Sequence, residues 1–142
     1  MFMGTYSHTL DDKGRLIIPS KFREALGEDF VLTQDLDHCL SIYPQNGWKT
    51  LTASLETMPR ISSELARRLR RFYFGNSSTC EPDKQGRMLI PANLRDYAGL
   101  TKEVTLVGVD DHIEVWNTET WNAYNGSIDI NDLEADLKNL DL

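Results

Sequence analysis

Polar and apolar residues near the start of the chain follow a pattern that predicts a β-hairpin. Residues 5–10 partly alternate polar and apolar side chains, and residues 16–18 form a short aliphatic run, so both segments predict strands. Between them, residues 11–14 have the composition of a tight turn ending in Gly14. Because glycine tolerates a positive φ, Gly14 can supply the conformation that such a turn often needs.

A short helix and two further strands follow the hairpin. Ser20 can cap a helix over residues 21–26 through its hydroxyl group, and Gly27 suits the position just after that helix. Apolar runs beginning at Phe30 and Leu40 predict the last two strands. The predicted order of elements is therefore ββαββ.

The same pattern returns once, 72 positions later. Residues 11–27 and 83–99 align without a gap and share seven of 17 residues, including the glycine and arginine of the turn. The two later strands also recur, at 104–107 and 113–116. Each copy spans about 45 residues, which is too short to bury a core alone. The sequence therefore predicts an internal pseudo-dimer.

Four segments follow from this repeat and from the apolar residues between and after its copies. Between the copies, apolar residues recur at helical spacing on both sides of Pro59, which predicts two helices. After the second copy, Ile130 and the leucines that follow have helical spacing, with Asn131 and Glu134 placed as a variant capping box. The predicted segments are repeat 1 at 5–47, a helical linker at 48–75, repeat 2 at 76–121 and an acidic tail at 122–142.

Charge is distributed unevenly among these segments. The 15 lysines and arginines against 22 acidic residues give a net charge of −7, a total that argues against a nucleic-acid partner. Residues 127–142 hold a net −4, however, whereas 60–71 nets +4, and 11–23 and 83–95 each net +2. Because charges beyond roughly 8 Å are screened at about 0.15 M salt, a phosphate responds to local charge. Two patches of +2 are weak, so DNA binding would require several chains acting together.

Metal, redox and membrane functions are not indicated. Cys39 and Cys80 lie 41 positions apart without a C-x-x-C pair, so we expect two thiols, no metal site and no cofactor. The start of the chain lacks a signal-peptide pattern, and no run approaches the roughly 18 apolar residues of a membrane span. The sequence therefore predicts a cytoplasmic protein with no membrane partner.

One repeated pair suggests acid–base chemistry. Asp37 precedes His38, and Asp111 precedes His112. Neighbouring residues of a strand point to opposite faces, and neither pair has a serine or cysteine nucleophile in a recognisable motif. We therefore expect no catalytic residue and no enzyme.

The repeated motif resembles a known DNA-binding motif. Residues 11–27 combine D-x-x-G-R, an aliphatic run ending in Ile-Pro and a short helix bearing arginine, and are similar to the N-terminal motif of the SpoVT/AbrB family. Two such motifs, an arginine-rich linker and the opening Met-Phe-Met-Gly resemble the MraZ family over residues 1–125. The resemblance implies a mainly β fold with helices, α+β by content. In that fold two tandem ββαββ SpoVT/AbrB-like repeats form an intramolecular swapped-hairpin barrel.

The resemblance also implies a function. It implies a sequence-specific transcriptional regulator that binds double-stranded DNA at promoter direct repeats upstream of its own division and cell-wall operon. It implies a homo-oligomeric ring, with an octamer among the candidate sizes, in the cytoplasm and associated with the nucleoid. The alternative from another class is an oligomeric protein-interaction module without sequence-specific DNA binding.

Site residues are carried over from the family by position. The DNA-facing cations that the resemblance implies are Lys13, Arg15 and Arg23 in the first copy, and Lys84, Arg87 and Arg95 in the second. The predicted structural turn, or clamp, consists of Asp11, Gly14, Asp83 and Gly86. Two roles stay open for the turn arginines: pairing with aspartate inside the turn, or binding DNA while aspartate orients them. Asp12 of the first copy aligns with Lys84 of the second, so we do not expect the two hairpins to contribute equally.

The arginines of 60–71 have three interpretations. They can form a second phosphate surface, a solvated helical face with a Glu64–Arg68 ion pair, or a contact with the acidic tail of a neighbouring chain. For Trp48, Trp116 and Trp121 we expect core packing instead of base stacking.

Overall fold

The computed structural model describes residues 1–140, and Asp141 and Leu142 of the predicted tail lie outside the described residues. Within this range the chain forms eight β-strands, six α-helices and a short 3-10 turn at Leu36–His38. The elements of the first half are β1 (Phe2–Thr9), β2 (Arg15–Ile17), α1 (Ser20–Leu26), β3 (Phe30–Gln34), β4 (Leu40–Pro44), α2 (Gln45–Glu56) and α3 (Glu64–Phe74). Those of the second half are β5 (Ser77–Cys80), β6 (Arg87–Leu89), α4 (Ala92–Ala98), β7 (Glu103–Asp110), β8 (Ile113–Asn117), α5 (Thr118–Gly126) and α6 (Ile130–Asn139).

Strands of each copy pair with strands of the other copy, and the two copies are related by an internal pseudo-twofold axis. The large antiparallel sheet has the order β1-β7-β8-β4-β3-β5, so β1 of the first copy pairs with β7 of the second, and β5 of the second pairs with β3 of the first. Strands β2 and β6 form a separate two-stranded ribbon between the copies. The predicted swap of hairpins within one chain is thereby confirmed.

The two copies bury one common core. Inward-facing residues of the ribbon, the short helices and the sheet belong to a single cluster. Its equivalent pairs are Leu16 with Met88, Ile18 with Ile90, Phe22 with Leu94, Leu26 with Ala98, Phe30 with Val104, Leu32 with Leu106, Leu40 with Ile113 and Ile42 with Val115. Because the ribbon contributes to the same core as the large sheet, the two enclose it in a barrel-like arrangement.

Helix α3 is fastened to the first copy by a buried polar network. The Tyr73 hydroxyl donates to Oδ1 of buried Asp35 at 2.9 Å, and the Gln34 amide donates to the Phe72 carbonyl at 3.1 Å. Burial, together with the Asp35 carboxylate, raises the pKa of Tyr73, so its hydroxyl remains a donor. The two predicted linker helices are found as α2 and α3, whereas the segment boundaries at 47, 75 and 121 stay predictions.

Strand β1 and two helix caps differ from the sequence predictions. Strand β1 begins at Phe2 instead of residue 5, because β7 supplies hydrogen-bonding partners as far as Asp110. Pro19, not Ser20, occupies the N-cap position of α1. The capping box at Asn131 was also wrong, since the side chain of Asp129 caps α6 by accepting from the Asn131 N–H.

The tryptophans and cysteines occupy the predicted kinds of environment. Trp116 is buried beside Cys39 and packs against Trp121 with ring centroids 5.3 Å apart. Trp48 packs against Phe74 at 5.8 Å. Cys39 and Cys80 are free thiols, and every helix of the described chain is too short or too polar to cross a bilayer.

Candidate nucleic-acid interface

The turn between β1 and β2 is organised by Asp11. Its Oδ1 accepts from the backbone N–H groups of Lys13 and Arg15, each at 2.9 Å, and its Oδ2 accepts from Nε of Arg15 at 2.6 Å. Gly14 completes the turn with a φ of 79°. The conformation of the turn and the direction of the arginine side chain are therefore set by one carboxylate.

The second copy repeats this arrangement between β5 and β6. Oδ1 of Asp83 accepts from the N–H groups of Gln85 and Arg87 at 2.9 Å, and Oδ2 accepts from Nε of Arg87 at 2.8 Å. Gly86 has a φ of 76°. The structure therefore contains the aspartate–arginine clamp in both copies, and the positive φ predicted for the turn glycines is confirmed.

Both clamps are ionised at neutral pH. The pKa of Asp11 lies below its ordinary range, first because the Arg15 N–H donates to the carboxylate, with the Arg15 guanidinium acting in the same direction. The pKa of Asp83 is lowered by the same contacts from Arg87. A group with a lowered folded-state pKa loses its contribution only as pH falls through that pKa. The ion pairs therefore persist throughout the neutral range.

Each clamp leaves most of the guanidinium available. The aspartate engages Nε, which is one of five N–H donors of an arginine, and the four donors on the two Nη atoms form the planar edge that binds guanine or phosphate. The side chains of Arg15 and Arg87 remain 29% and 27% exposed. The clamp therefore orients the arginine but leaves its Nη donors free to bind another group. Pairing with aspartate and binding DNA, the two roles left open by the sequence, are thus compatible.

The helix arginines lie at the hairpin of the other copy. A Cβ on Gly14 would overlap Nη1 of Arg95 and lie 2.7 Å from its Cζ, and a Cβ on Gly86 would overlap Nη1 of Arg23. Only glycine lets these guanidinium groups approach the turns so closely. We call residues 11–15 with Arg95 the first hairpin site, and residues 83–87 with Arg23 the second hairpin site.

The ribbon places the two hairpin sites at its opposite ends. Arg15 lies opposite Leu89 and Ile17 lies opposite Arg87 in the antiparallel register. The N–H of Ile90 donates to the Gly14 carbonyl at 3.0 Å, and the N–H of Ile18 donates to the Gly86 carbonyl at 3.0 Å. The six predicted cations therefore fall into two groups of three, one at each end of the ribbon.

The two hairpin sites differ in charge. The first combines Lys13, Arg15 and Arg95 with Asp11 and Asp12, for a net +1, and the second combines Lys84, Arg87 and Arg23 with Asp83, for a net +2. At the aligned positions, Asp12 against Lys84 favours the second site by two charges, and Lys13 against Gln85 favours the first site by one. The sequence comparison of the copies predicted that they would be unequal, without a direction.

Sequence reasoning overlooked Ile17 and Leu89, which are exposed on the ribbon. Both were assigned only to aliphatic strand segments. The signal that could have identified them is the strand period of two, since Ile17 shares a face with Arg15, and Leu89 with Arg87.

The arginines of 60–71 are largely engaged in local contacts. Arg67 donates to the Arg60 and Ile61 carbonyls at 2.9 and 3.0 Å, and Arg68 pairs with Glu64 at 2.9 Å. These contacts favour the solvated helical face among the three interpretations. The predicted Glu64–Arg68 pair is confirmed.

The histidines of the two Asp–His pairs stack on tyrosine rings. His112 Nδ1 lies 2.7 Å from Asp111 Oδ1, and its ring stacks on Tyr43 with centroids 4.5 Å apart. His38 stacks on Tyr97 at 5.5 Å. In residues 1–140, no group of three or more histidine, cysteine or acidic side chains is placed to hold a metal.

Comparison with known proteins identifies the family. A family model described as "MraZ protein, putative antitoxin-like" matches the chain twice, at residues 1–72 and 73–142. The chain is 53% identical over 124 residues to the transcriptional regulator MraZ of Desulfitobacterium hafniense, covering 87% of this chain and 86% of that protein. It is 49% identical over 130 residues to the protein of the same name from Thermoanaerobacter sp., covering 92% and 90%. The chain therefore belongs to the MraZ family.

Proposed function

We propose that this chain is a sequence-specific transcriptional regulator that binds double-stranded DNA through its two hairpin sites. It acts as a homo-oligomeric ring on direct repeats upstream of its own division and cell-wall operon, in the cytoplasm and at the nucleoid. Its relatives are named transcriptional regulators and not enzymes, which supports this class of function.

The observation that carries the proposal is the pair of composite hairpin sites. Each site combines three cations from two copies of the repeat, and each turn arginine is oriented by an aspartate while its Nη edge stays available. The β2–β6 ribbon between them has the width that the major groove admits. A purely structural clamp would not require Lys13, Lys84 and a second arginine beside each turn.

The alternative is a protein-interaction module in which the clamps serve only the fold. It is favoured by the ion pairs themselves, since Nε of both turn arginines is engaged within its own turn. This alternative predicts equal affinity for any DNA sequence at physiological salt, whereas the proposed function predicts a preference.

An anisotropy titration across a salt series distinguishes the two. The probe is the DNA upstream of the gene for this chain, and the control is the same DNA with its sequence scrambled. We expect the native fragment to bind on the order of 10³-fold more tightly. If all six cations meet phosphates, log affinity falls with log salt with a slope of up to about −5 per bound chain. Equal affinity for both fragments would reject the proposed function.

The exposed face of α6 supports the oligomer. Ile130, Leu133 and Leu137 are 63%, 47% and 50% exposed and lie on one stripe of the helix. Such a stripe is usually covered by a partner. Because the chain is proposed to form a homo-oligomer, we take a second copy of the chain as that partner.

Light scattering tests this contact in the full chain. We expect wild-type protein to have a mass several times 16.2 kDa, and the variant Leu133→Glu with Leu137→Glu to have a lower mass. The matched control, Asn131→Glu with Ala135→Glu, adds the same charge to the polar face of α6 and should keep the wild-type mass. A monomeric wild type would contradict the oligomer. A stripe variant of unchanged mass would contradict only the role of α6.

A further inference from the structure

Two large aliphatic side chains are exposed on the arginine-bearing face of the ribbon. Ile17 is 50% exposed and Leu89 is 58% exposed, although the residues that separate them from Arg15 and Arg87 are almost fully buried. Side chains alternate between the faces of a strand, so each aliphatic residue shares the outer face with the arginine two positions before it. The ribbon therefore presents a mixed cationic and aliphatic surface.

On the outer face of the ribbon, arginine and aliphatic side chains alternate both along each strand and across the strand pair. Arg15 lies opposite Leu89, and Ile17 lies opposite Arg87. Side chains directly opposite in such a pair are about 4.5–5.5 Å apart, and diagonal neighbours are about 7–8 Å apart. The patch is thus narrower than the major groove, which is about 12 Å wide. Both diagonals, one cationic and one aliphatic, can lie within one groove.

The charge around the patch indicates what covers it. The two hairpin sites place Lys13, Lys84, Arg23 and Arg95 beside the ribbon ends, which suits a polyanion better than an apolar protein surface. Aliphatic side chains carry neither charge nor hydrogen-bond donors, so they contribute nothing to phosphate binding. In the major groove, the apolar group that DNA offers is the 5-methyl of thymine.

We propose that Ile17 and Leu89 are specificity-determining residues that recognise thymine through its 5-methyl group. This inference rests on the proposed function and names thymine as one of the bases that the protein recognises. The arginine opposite each aliphatic residue lies within reach of a neighbouring base or phosphate. Because the two aliphatic residues are related by the internal pseudo-twofold, there is one thymine contact at each end of the ribbon. Leu89 makes the contact beside the first hairpin site, and Ile17 makes the contact beside the second.

The test removes the methyl groups from the DNA. In the upstream fragment that wild-type protein prefers, every thymine is replaced by deoxyuridine, which keeps the base-pairing edge and the phosphates. Wild-type protein is compared with the variant I17S/L89S and with the control L36S/L65S. The control removes two leucines that are 55% and 60% exposed away from the ribbon. Thermal unfolding of each variant checks that the fold is retained.

We expect deoxyuridine to weaken binding of wild type and control by roughly four-fold for each methyl contacted. The ribbon variant should bind thymine DNA more weakly and should be insensitive to the replacement. If all three proteins respond equally, or none responds, the inference is overturned while the proposed function stands. A lower oligomer mass for I17S/L89S would assign the patch to a contact between chains and also overturn it. If wild type does not prefer the native fragment over scrambled DNA, the proposed function fails and this inference fails with it.

Discussion

Replacing Arg15 and Arg87 together by alanine is expected to abolish the preference for native upstream DNA while leaving the fold intact. A bidentate arginine contact discriminates between bases by about 1–3 kcal/mol, so losing two corresponds to roughly a 30-fold to 10⁴-fold loss of affinity. Each arginine contributes only a partly exposed ion pair to the turn, and such pairs add about 0–1 kcal/mol to stability. Anisotropy titration measures the binding, and thermal unfolding measures the fold.

Two controls separate base recognition from charge. Replacing Arg68 and Arg71 on α3 by alanine removes the same charge from a different surface, and we expect little change in the ratio of native to scrambled affinity. Replacing Arg15 and Arg87 by lysine keeps the charge but removes the planar fork, so overall affinity should fall less than the specificity ratio. Equal losses from the α3 variant would show that the hairpin arginines act only as charges.

Replacing Leu16 by alanine is expected to lower the free energy of unfolding by about 2–5 kcal/mol. Leu16 is 0% exposed and lies opposite Met88, where the hairpins of the two copies cross, so the backbone on both sides resists closing over the cavity. For a domain of marginal stability this is a large fraction of the total. Equilibrium denaturation followed by circular dichroism provides the measurement.

The neighbouring residue is the matched control. Ile17 is 50% exposed on the opposite face of β2, so Ile17→Ala should change the free energy of unfolding by no more than about 0.5 kcal/mol. Similar losses for the two variants would contradict the assignment of the faces of β2. A loss confined to Leu16 would support the assignment on which the thymine inference depends.

Much of the fold could be predicted because its signals are local. The aliphatic runs at 16–18 and after Phe30 and Leu40 became β2, β3 and β4, and the repeat 72 residues on produced the same elements again. The first residues of β1 could not be predicted in this way. Phe2 is in a strand because it pairs with Asp110, a residue of the other copy.

Two helix N-termini were also not predicted correctly. Ser20 and Asn131 both have side chains that favour cap positions. A neighbouring residue nevertheless occupies the N-cap. Pro19 precedes α1, and the side chain of Asp129 caps α6 by accepting from the Asn131 N–H. Residue preference alone does not distinguish positions so close together.

In the candidate site, too, the contacts within one turn could be predicted and the contacts between copies could not. The pairing of Asp11 with Arg15 joins residues four apart within one turn, so the motif itself was sufficient to suggest it. The contact of Arg95 with Gly14 joins residues 81 apart and exists only because β2 and β6 pair between copies. No spacing along the chain carries that information.

The amino-acid sequence by itself determined the repeated unit, its strands, its tight turns and the aspartate–arginine clamps, since each depends on backbone preferences and contacts within a few residues. Only the tertiary structure decided which helix arginine serves which hairpin, which ribbon residues are buried or exposed, and that both copies share one core. Those properties arise from strand exchange between the copies. Exchange is favoured because a copy of about 45 residues buries too little apolar surface to fold alone.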